Sequence, residues 1–333
     1  MKKVFAFVLS LVMMFTLAAC GSSAPAETAA PAAEGAETFK VAIIQQLDHS
    51  SLDEIRTAIE AQLNTLAAEK GIAIEISYDN GQNDTSMLTQ IATQVVADEP
   101  DMIIPIATLA AQYAVLAAEG TDIPIVYAAI SDPEGAGLTG LSNVTGVSDA
   151  LNTPFILDMM LAAQPDVKTV GLLYSTSEIN SLTPIAQAKE YLDSKGIAYI
   201  EKTGTTSGEI TEAAASLVGR VEAVFTPTDN AVMAAEAAVA ELLNAGGIAH
   251  YTGADSFVQS GAFTTCGVNY TELGTKVADI AFDILMGGEI GEFAVMDGGI
   301  ITVNTDTAAA IGVDYEVFNT MANTVNAVTT VVD

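Results

Sequence analysis

The sequence has no tryptophan, and its 333 residues include only two histidines and two cysteines. This leaves little material for a metal centre or a histidine-based catalytic centre, and we expect neither a metal nor a cofactor. Basic residues are also scarce: 11 Lys and Arg stand against 42 Asp and Glu, which gives a formal net charge of −31. A surface this acidic repels phosphate backbones, so nucleic acid is excluded as a main partner.

Recognised catalytic spacings are missing as well, namely the P-loop, Gly-x-Gly-x-x-Gly, Gly-x-Ser-x-Gly and His-x-x-His. His49 could act as a general base, but no nucleophile is paired with it, so we favour a binding role and predict that the chain is not an enzyme. Apolar residues make up 50% of the chain and charged ones 16%. This balance excludes a disordered chain and supplies a large core.

The first 19 residues have the features of a signal peptide. Lys2 and Lys3 precede an apolar run over residues 4–19, which is shorter than the roughly 20 residues of a membrane span. The run ends in Leu17-Ala18-Ala19-Cys20-Gly21, which resembles the cleavage box of bacterial lipoproteins and implies a lipid on Cys20. Ordinary cleavage at a small-residue site, with Cys20 incidental, is the alternative.

Residues 20–38 are predicted to carry the lipid and to form a flexible tether, because the stretch after Cys20 contains no large apolar side chain. A lipid followed by a tether predicts an extracytoplasmic protein anchored to the bacterial cell membrane. If Cys20 is lipidated, Cys266 has no cysteine partner within the chain. Its strand-like surroundings favour a buried, inert thiol over a reactive one.

Two similar halves are predicted for residues 39–333, a length at the upper limit for one core. Short runs rich in Val and Ile recur in the same order in both halves, with 41–46, 70–74, 101–105 and 123–127 corresponding to 170–175, 195–199, 222–226 and 247–251. Helical patterns lie between the runs. This alternation predicts an α/β fold of two doubly wound parallel-sheet lobes with a ligand cleft between them.

Lobe 1 is predicted to comprise residues 39–147 and about 268–290, and lobe 2 to comprise 148–267 and about 291–333. The first helix is expected behind a capping box that runs from Ser51 to Glu54. The tail after residue 300 is rich in Thr and Val and follows no clear pattern.

The loops that follow the strands define the predicted site, because ligands of open α/β sheets bind at the carboxyl ends of the strands. These loops are 45–51, 107–110, 129–133, 174–181, 226–230 and 253–257. They are dense in hydroxyl, amide and carboxylate groups, and several begin helices whose N–H groups attract a carboxylate. Since Asp229 and Asp255 could pair with an ammonium, the loops suit a small zwitterion, although each residue alone fits a helix cap or a turn equally well.

Over residues 40–312 these loops together resemble the substrate-binding lipoproteins of ABC importers, in the branch with tryptophan- and tyrosine-binding members and the periplasmic binding protein type 1 fold. The stretches 48–53, 106–108, 174–181 and 227–230 carry much of the resemblance. By position it implies these cleft residues: Gln45, His49, Thr108, Ser131, Asp132, Ser175, Glu178, Asn180, Asp229, Asn230 and Asp255. The adjoining Ser50, Leu109 and Ala110 complete the predicted set, although the family often has proline where Ser50 and Leu109 stand.

The resemblance implies a binding protein that closes on its ligand and docks on an ABC permease, whose separate subunits hydrolyse ATP. We expect a monomer that takes an aromatic amino acid, Trp, Tyr or Phe. A sugar and a branched-chain or other small amino acid are alternatives, and the absence of tryptophan disfavours the sugar. A surface-anchored enzyme and a sensory ectodomain are the alternatives from other classes.

Overall fold

The computed structural model describes residues 37–331. The predicted signal peptide, Cys20 and all but the last two residues of the predicted tether lie outside the described residues. Within this range, no helix has both the length and the apolar character needed to cross a membrane.

The first sheet has six strands, all parallel, in the order β2-β1-β3-β4-β5-β11. The strands are β1 Thr38–Gln45, β2 Ala73–Asn80, β3 Met102–Ile106, β4 Ile125–Ala128, β5 Val144–Ser148 and β11 Ala294–Val295. The helices that cover it are α1 Ser50–Lys70, α2 Thr85–Ala97, α3 Thr108–Ala117 and α10 Tyr270–Leu285.

The second sheet has seven strands in the order β7-β6-β8-β9-β10-β12-β13. They are β6 Thr169–Tyr174, β7 Ala198–Thr203, β8 Ala223–Thr226, β9 Ala249–Thr252, β10 Thr264–Gly267, β12 Ile300–Asn304 and β13 Thr324–Val328. The helices are α4 Thr153–Ala163, α5 Leu182–Lys195, α6 Ser207–Ala215, α7 Asn230–Met233, α8 Glu236–Ala245, α9 Asp255–Gln259 and α11 Thr305–Ile311. The unassigned tail therefore supplies two strands and a helix, with a short 3-10 helix at Glu316–Thr320.

The central strands form because both of their faces are buried. In β1, Val41 and Ile43 pack into the core on one face of the sheet, whereas Ala42 and Ile44 pack into the core on the other. Burying an aliphatic side chain of this size stabilises the fold by about 1.5–3 kcal/mol, which explains why these runs are almost wholly apolar. Helices cover both faces of both sheets, and the predicted class of two doubly wound α/β lobes is confirmed.

The chain passes between the sheets three times, after β5, after β10 and after β11. Because β11 ends at the cleft, the next strand enters the second sheet from its carboxyl edge and must run away from the cleft. This is why β12 is antiparallel to β10, an exception to the expected all-parallel sheet. Strand β11 pairs with β5 in the first sheet, so the final crossing follows residue 295, not residue 290.

The predicted capping box of α1 is wrong. The helix begins two residues earlier than the box implies, at Ser50, and His49 is its N-cap without a side-chain cap hydrogen bond. Ser51 lies inside the first turn, and its hydroxyl donates to Asp255 Oδ1 at 2.8 Å instead of capping the helix. Asp255, which follows a strand of the second sheet, takes the Ser51 hydroxyl that the capping-box pattern assigns to the helix N-terminus.

Helix α10 returns to the first sheet and packs along α1, with a glycine at the closest approach. A Cβ at Gly274 would lie 2.5 Å from the Ile55 carbonyl oxygen and 2.8 Å from Ala58 Cβ. Only glycine allows this approach, although glycine in a helix costs about 1 kcal/mol relative to alanine.

We predict that Gly274→Ala lowers the free energy of unfolding by about 1–2 kcal/mol, because overpacking against α1 outweighs the better helix propensity. Gly208→Ala in α6 is the matched control, since a Cβ there meets open space. It should be neutral or raise stability by up to about 1 kcal/mol. Chemical denaturation measures both variants, and equal effects would contradict the tight α1–α10 contact.

Candidate functional site

The carboxyl edges of the two sheets face each other across a cleft. The strand order β2-β1-β3-β4-β5 of the first sheet is repeated as β7-β6-β8-β9-β10 in the second. In such an order the connections that follow β1 and β3 run in opposite directions along the sheet, as do those that follow β6 and β8. Each sheet therefore has a crevice at its carboxyl edge. The loops from both crevices meet in the same place.

A cavity of about 30 Å³ lies where these loops meet, far smaller than the roughly 300–1,000 Å³ of typical ligand pockets. Its wall is formed by His49, Ser51, Leu52, Ala107, Thr108, Ala129, Ser131, Asp149, Asn180, Thr228, Asn230, Met233, Ala254, Phe257 and Tyr270. An amino acid would fit only if the two lobes lay somewhat farther apart than they do here.

Hydrogen bonds join the lobes directly across the cleft. Gln46 Nε2 donates to Glu178 Oε1 at 2.9 Å, and the hydroxyls of Ser131 and Thr228 lie 2.7 Å apart. At the rim, the Thr183 hydroxyl donates to Asp132 Oδ2 at 2.6 Å. Together with the bond between Ser51 and Asp255, these contacts define a closed arrangement of the lobes.

Glu178 and Asp229 are two neighbouring carboxyls buried on the second lobe. Burial, and then the charge of Asp229, raise the pKa of Glu178 to about 8. Burial also raises the pKa of Asp229. Hydrogen bonds from the Ser175 N–H and the Ser181 hydroxyl lower it, but the effect of burial is larger. Glu178 accepts hydrogen bonds from Gln46 of the opposite lobe and from Asn230 Nδ2, so its protonation state is linked to closure.

Asp149 is a third buried carboxyl and lines the cavity where the chain leaves β5. Burial raises its pKa to about 6, although the Ser131 hydroxyl donates to its Oδ1 at 2.9 Å. It therefore remains largely ionised at neutral pH. Among the described residues, no group of three His, Cys, Asp or Glu is placed to hold a metal ion.

Two polar atoms at the cavity lack hydrogen-bond partners. Asn180 donates from Nδ2 to the Thr228 carbonyl at 2.7 Å, but its Oδ1 is buried and unpaired. His49 Nε2 lies 3.4 Å from Asn230 Oδ1, and its Nδ1 is likewise buried and unpaired. Burial lowers the pKa of His49 to about 4, so the ring is neutral near pH 7.

The rest of the wall is apolar and includes strained backbone. Leu52, Met233 and Phe257 contribute side chains from both lobes. Ala107 and Ala129 have positive φ values of 73° and 56°, a backbone region that residues other than glycine rarely adopt. Such strain is concentrated at functional sites, since surrounding contacts must hold it in place.

Five predicted site residues line the cavity: His49, Thr108, Ser131, Asn180 and Asn230. Six others lie behind the wall or at its rim and hold neighbouring groups by hydrogen bonds: Gln45, Asp132, Ser175, Glu178, Asp229 and Asp255. The remaining three do not line it: Ser50 is exposed, Ala110 is buried in the first-lobe core, and Leu109 packs against that core. The backbone N–H of Leu109 nevertheless donates to Gln46 Oε1 at 3.0 Å.

Several cavity residues were missed from the predicted set, most importantly Asp149, Phe257 and Tyr270. Asp149 follows β5 and Tyr270 begins the helix after β10. The rule that ligands bind after strands would have found both, had it been applied to the segments that cross between lobes. Cys266, by contrast, is buried as predicted, and burial raises the pKa of its thiol to about 11.

The sequence profile described as ABC transporter substrate binding protein matches residues 40–323. A tyrosine-binding protein of Clostridioides difficile (strain R20291) is 33% identical over 278 residues, which cover 81% of this chain and 80% of that protein.

Two solved structures are similar over most of the chain. The ABC domain in complex with L-Trp from Streptococcus pneumonia shares 28% identity and a TM-score of 0.80, covering 87% of this chain and 100% of that one. The ligand-free, open structure of a substrate-binding protein with adhesive properties from Clostridium difficile shares 32% identity and a TM-score of 0.66, covering 88% and 100%. The lower TM-score with the structure described as open agrees with the closed arrangement seen here.

We predict that stability falls as pH rises from about 5 to 8, and that Glu178→Gln makes the fall shallower. The pKa of Glu178 rises on folding from 4.5 to about 8, so the folded state binds more protons than the unfolded state in this window. One proton corresponds to at most about 1.4 kcal/mol per pH unit.

Glu209→Gln is the matched control for this measurement. Glu209 is exposed, and hydrogen bonds from Thr205 lower its pKa, so its contribution is lost only under acidic conditions below this window. Thermal unfolding at pH 5, 6, 7 and 8 compares the variants. An unchanged slope in Glu178→Gln would show that Glu178 is ionised in the folded protein.

Proposed function

The chain belongs to the ABC transporter substrate-binding protein family, and we propose that it captures an aromatic amino acid between its two lobes. The family binds substrates for transport and is not a class of enzymes, in agreement with the predicted lack of catalysis. The observation that carries the proposal is the composition of the cavity. The cavity is lined by ionisable and amide groups, which suit a zwitterion, and by apolar side chains, which include Phe257.

The ammonium of the ligand is proposed to bind beside Asp149. The Asp149 carboxylate is buried and accepts one side-chain hydrogen bond, from Ser131, so it retains capacity to accept more. The unpaired Asn180 Oδ1 offers a second acceptor in the same cavity. A buried, unpaired acceptor costs about 1–3 kcal/mol, and an ammonium would relieve this cost for both groups.

The carboxylate of the ligand is proposed to face the start of α3. This helix begins at Thr108 and has no side-chain cap, because its N-cap residue is Ala107. A helix N-terminus presents N–H groups and a partial positive charge to an anion. The strained backbone at Ala107 fits this role, since it sets the direction in which the helix leaves the sheet.

The aromatic ring is proposed to lie against the apolar part of the wall, where Leu52, Met233 and Phe257 converge from both lobes. Contact with both lobes would make ring burial favour closure, with a hinge at the three crossing segments. The relatives support this assignment: one is described as tyrosine-binding, and another was solved with L-Trp.

Substrate-binding proteins of ABC transporters are extracytoplasmic. We propose in addition that this chain is monomeric, that a lipid on Cys20 holds it at the membrane, and that the residues after Cys20 act as a tether. The closed lobes would present their joined surface to the permease. Tethering would raise the local concentration of the protein near the transporter.

We predict that L-Trp, L-Tyr or both raise the melting temperature of the protein, whereas sugars and aliphatic amino acids do not. A ligand that binds only the folded state stabilises it by about 2.7 kcal/mol at a hundredfold excess over its dissociation constant. Thermal unfolding against the twenty amino acids and common sugars measures this. A shift with a sugar or with aliphatic amino acids alone would contradict the proposed ligand class.

Asp149→Asn should weaken aromatic amino acid binding by at least about tenfold, because a neutral amide attracts the ammonium less than a carboxylate does. Asp193→Asn, at an exposed position in α5, is the matched control and should leave affinity unchanged. Calorimetric titration measures both. Equal affinities in the two variants would place the ammonium elsewhere.

A further inference from the structure

His49 is a cavity residue with a ring nitrogen that is buried and unpaired. It lies at the start of α1 in the first lobe, and its Nδ1 has no hydrogen-bond partner although it is buried. Its Nε2 lies 3.4 Å from Asn230 Oδ1 of the second lobe. With the ring neutral, one nitrogen carries the proton and the other is an acceptor.

The neighbours of His49 indicate which nitrogen is the acceptor. Asn230 Nδ2 donates to Glu178 Oε2 at 3.1 Å, which turns Asn230 Oδ1 toward the His49 ring. Glu178 Oε1 in turn accepts from Gln46 Nε2. The Gln46 amide is itself oriented, because its Oε1 accepts from the backbone N–H of Leu109. With Glu178 ionised, this chain of hydrogen bonds places the proton on Nε2 and leaves Nδ1 as the acceptor.

The position of His49 places it far from the proposed ammonium site. His49 follows β1 and Asp149 follows β5, with β3 and β4 between them in the sheet. At a spacing of about 4.8 Å per strand, these two strands are about 14 Å apart. A ligand whose ammonium lies at Asp149 therefore directs its side chain toward the His49 end of the cavity.

We infer that His49 Nδ1 hydrogen-bonds a polar atom on the aromatic side chain of the ligand, so that the site rejects phenylalanine. This inference rests on the proposed function and makes it more specific. Both the phenol O–H of tyrosine and the indole N–H of tryptophan can donate to Nδ1. Phenylalanine would leave Nδ1 buried and unpaired, the situation in which a site built for a hydrogen bond rejects the analogue that lacks it.

Tyrosine is the ligand that best fits this arrangement. With Glu178 protonated, the form that its raised pKa favours at neutral pH, its O–H favours the inverted Asn230 amide, and His49 Nδ1 becomes a donor. A phenol oxygen can accept as well as donate, so tyrosine pairs with either tautomer, whereas the indole N–H pairs only with the acceptor.

The test is calorimetric titration of the full protein with L-Tyr, L-Trp and L-Phe, in the wild type and in His49→Leu and His49→Gln. We expect the wild type to bind L-Tyr at least about 100-fold more tightly than L-Phe. His49→Leu should reduce this ratio below about fivefold. His49→Gln should retain part of it, because an amide also offers a donor and an acceptor.

A purely structural role of His49 would lower the affinity for all three ligands equally, and such a result would overturn the inference. So would a wild type that binds L-Phe as tightly as L-Tyr. A wild type that binds none of the three would overturn the proposed function itself, and the inference with it. Melting temperatures without ligand show whether each variant is folded.

Nitrogen-15 spectra of histidine-labelled protein give an independent readout, since the chain has only two histidines. L-Tyr should shift the Nδ1 resonance of His49, and L-Phe should not. An Nδ1 resonance that responds equally to both ligands would also overturn the inference.

Discussion

The direction of the strands is the constraint on which the site depends. Because the strands that precede the cleft loops are parallel within each sheet, every one of these loops lies at the carboxyl edge. Two sheets with the same strand order, joined by three crossing segments, bring these edges face to face. Residues as distant in sequence as Gln46 and Glu178 are thereby placed within hydrogen-bond distance.

Closure buries charged groups, and this gives the cleft its chemical character. Asp149, Glu178 and Asp229 are carboxyls whose pKa burial raises, and within the described residues they are paired with hydroxyls, amides and backbone N–H groups instead of Lys or Arg. Buried carboxylates without a cationic partner are costly, so a positively charged ligand group stabilises them. The same groups that make closure unfavourable in isolation make it favourable with an ammonium present.

Much of this architecture could be predicted from local patterns. Apolar runs rich in Val and Ile marked the central strands, since strands buried on both faces tolerate little else. The strand-end rule then placed residues such as His49, Ser131 and Asn180 in the cleft loops. The wrong prediction for the start of α1 arose from a contact between the lobes. In the sequence Ser51 fits a helix N-cap, but in the structure its hydroxyl donates to Asp255 of the other lobe.

Other features could not be predicted because they depend on the path of the chain. The two-residue strand β11 is too short to have a recognisable pattern, so the last crossing was placed too early. The reversed direction of β12 follows from its entry at the cleft, a consequence of the same crossing. Asp149 and Tyr270 were missed because they lie in the crossing segments, which contribute to the cavity wall.

The most direct measurement is a crystal structure of the protein grown with L-tyrosine or L-tryptophan. The account predicts an amino acid between the carboxyl edges of the two sheets, with its ammonium within hydrogen-bond distance of Asp149 and its ring against Phe257, and with lobes slightly farther apart than here. A ligand bound to one lobe only, or outside this cavity, would contradict it.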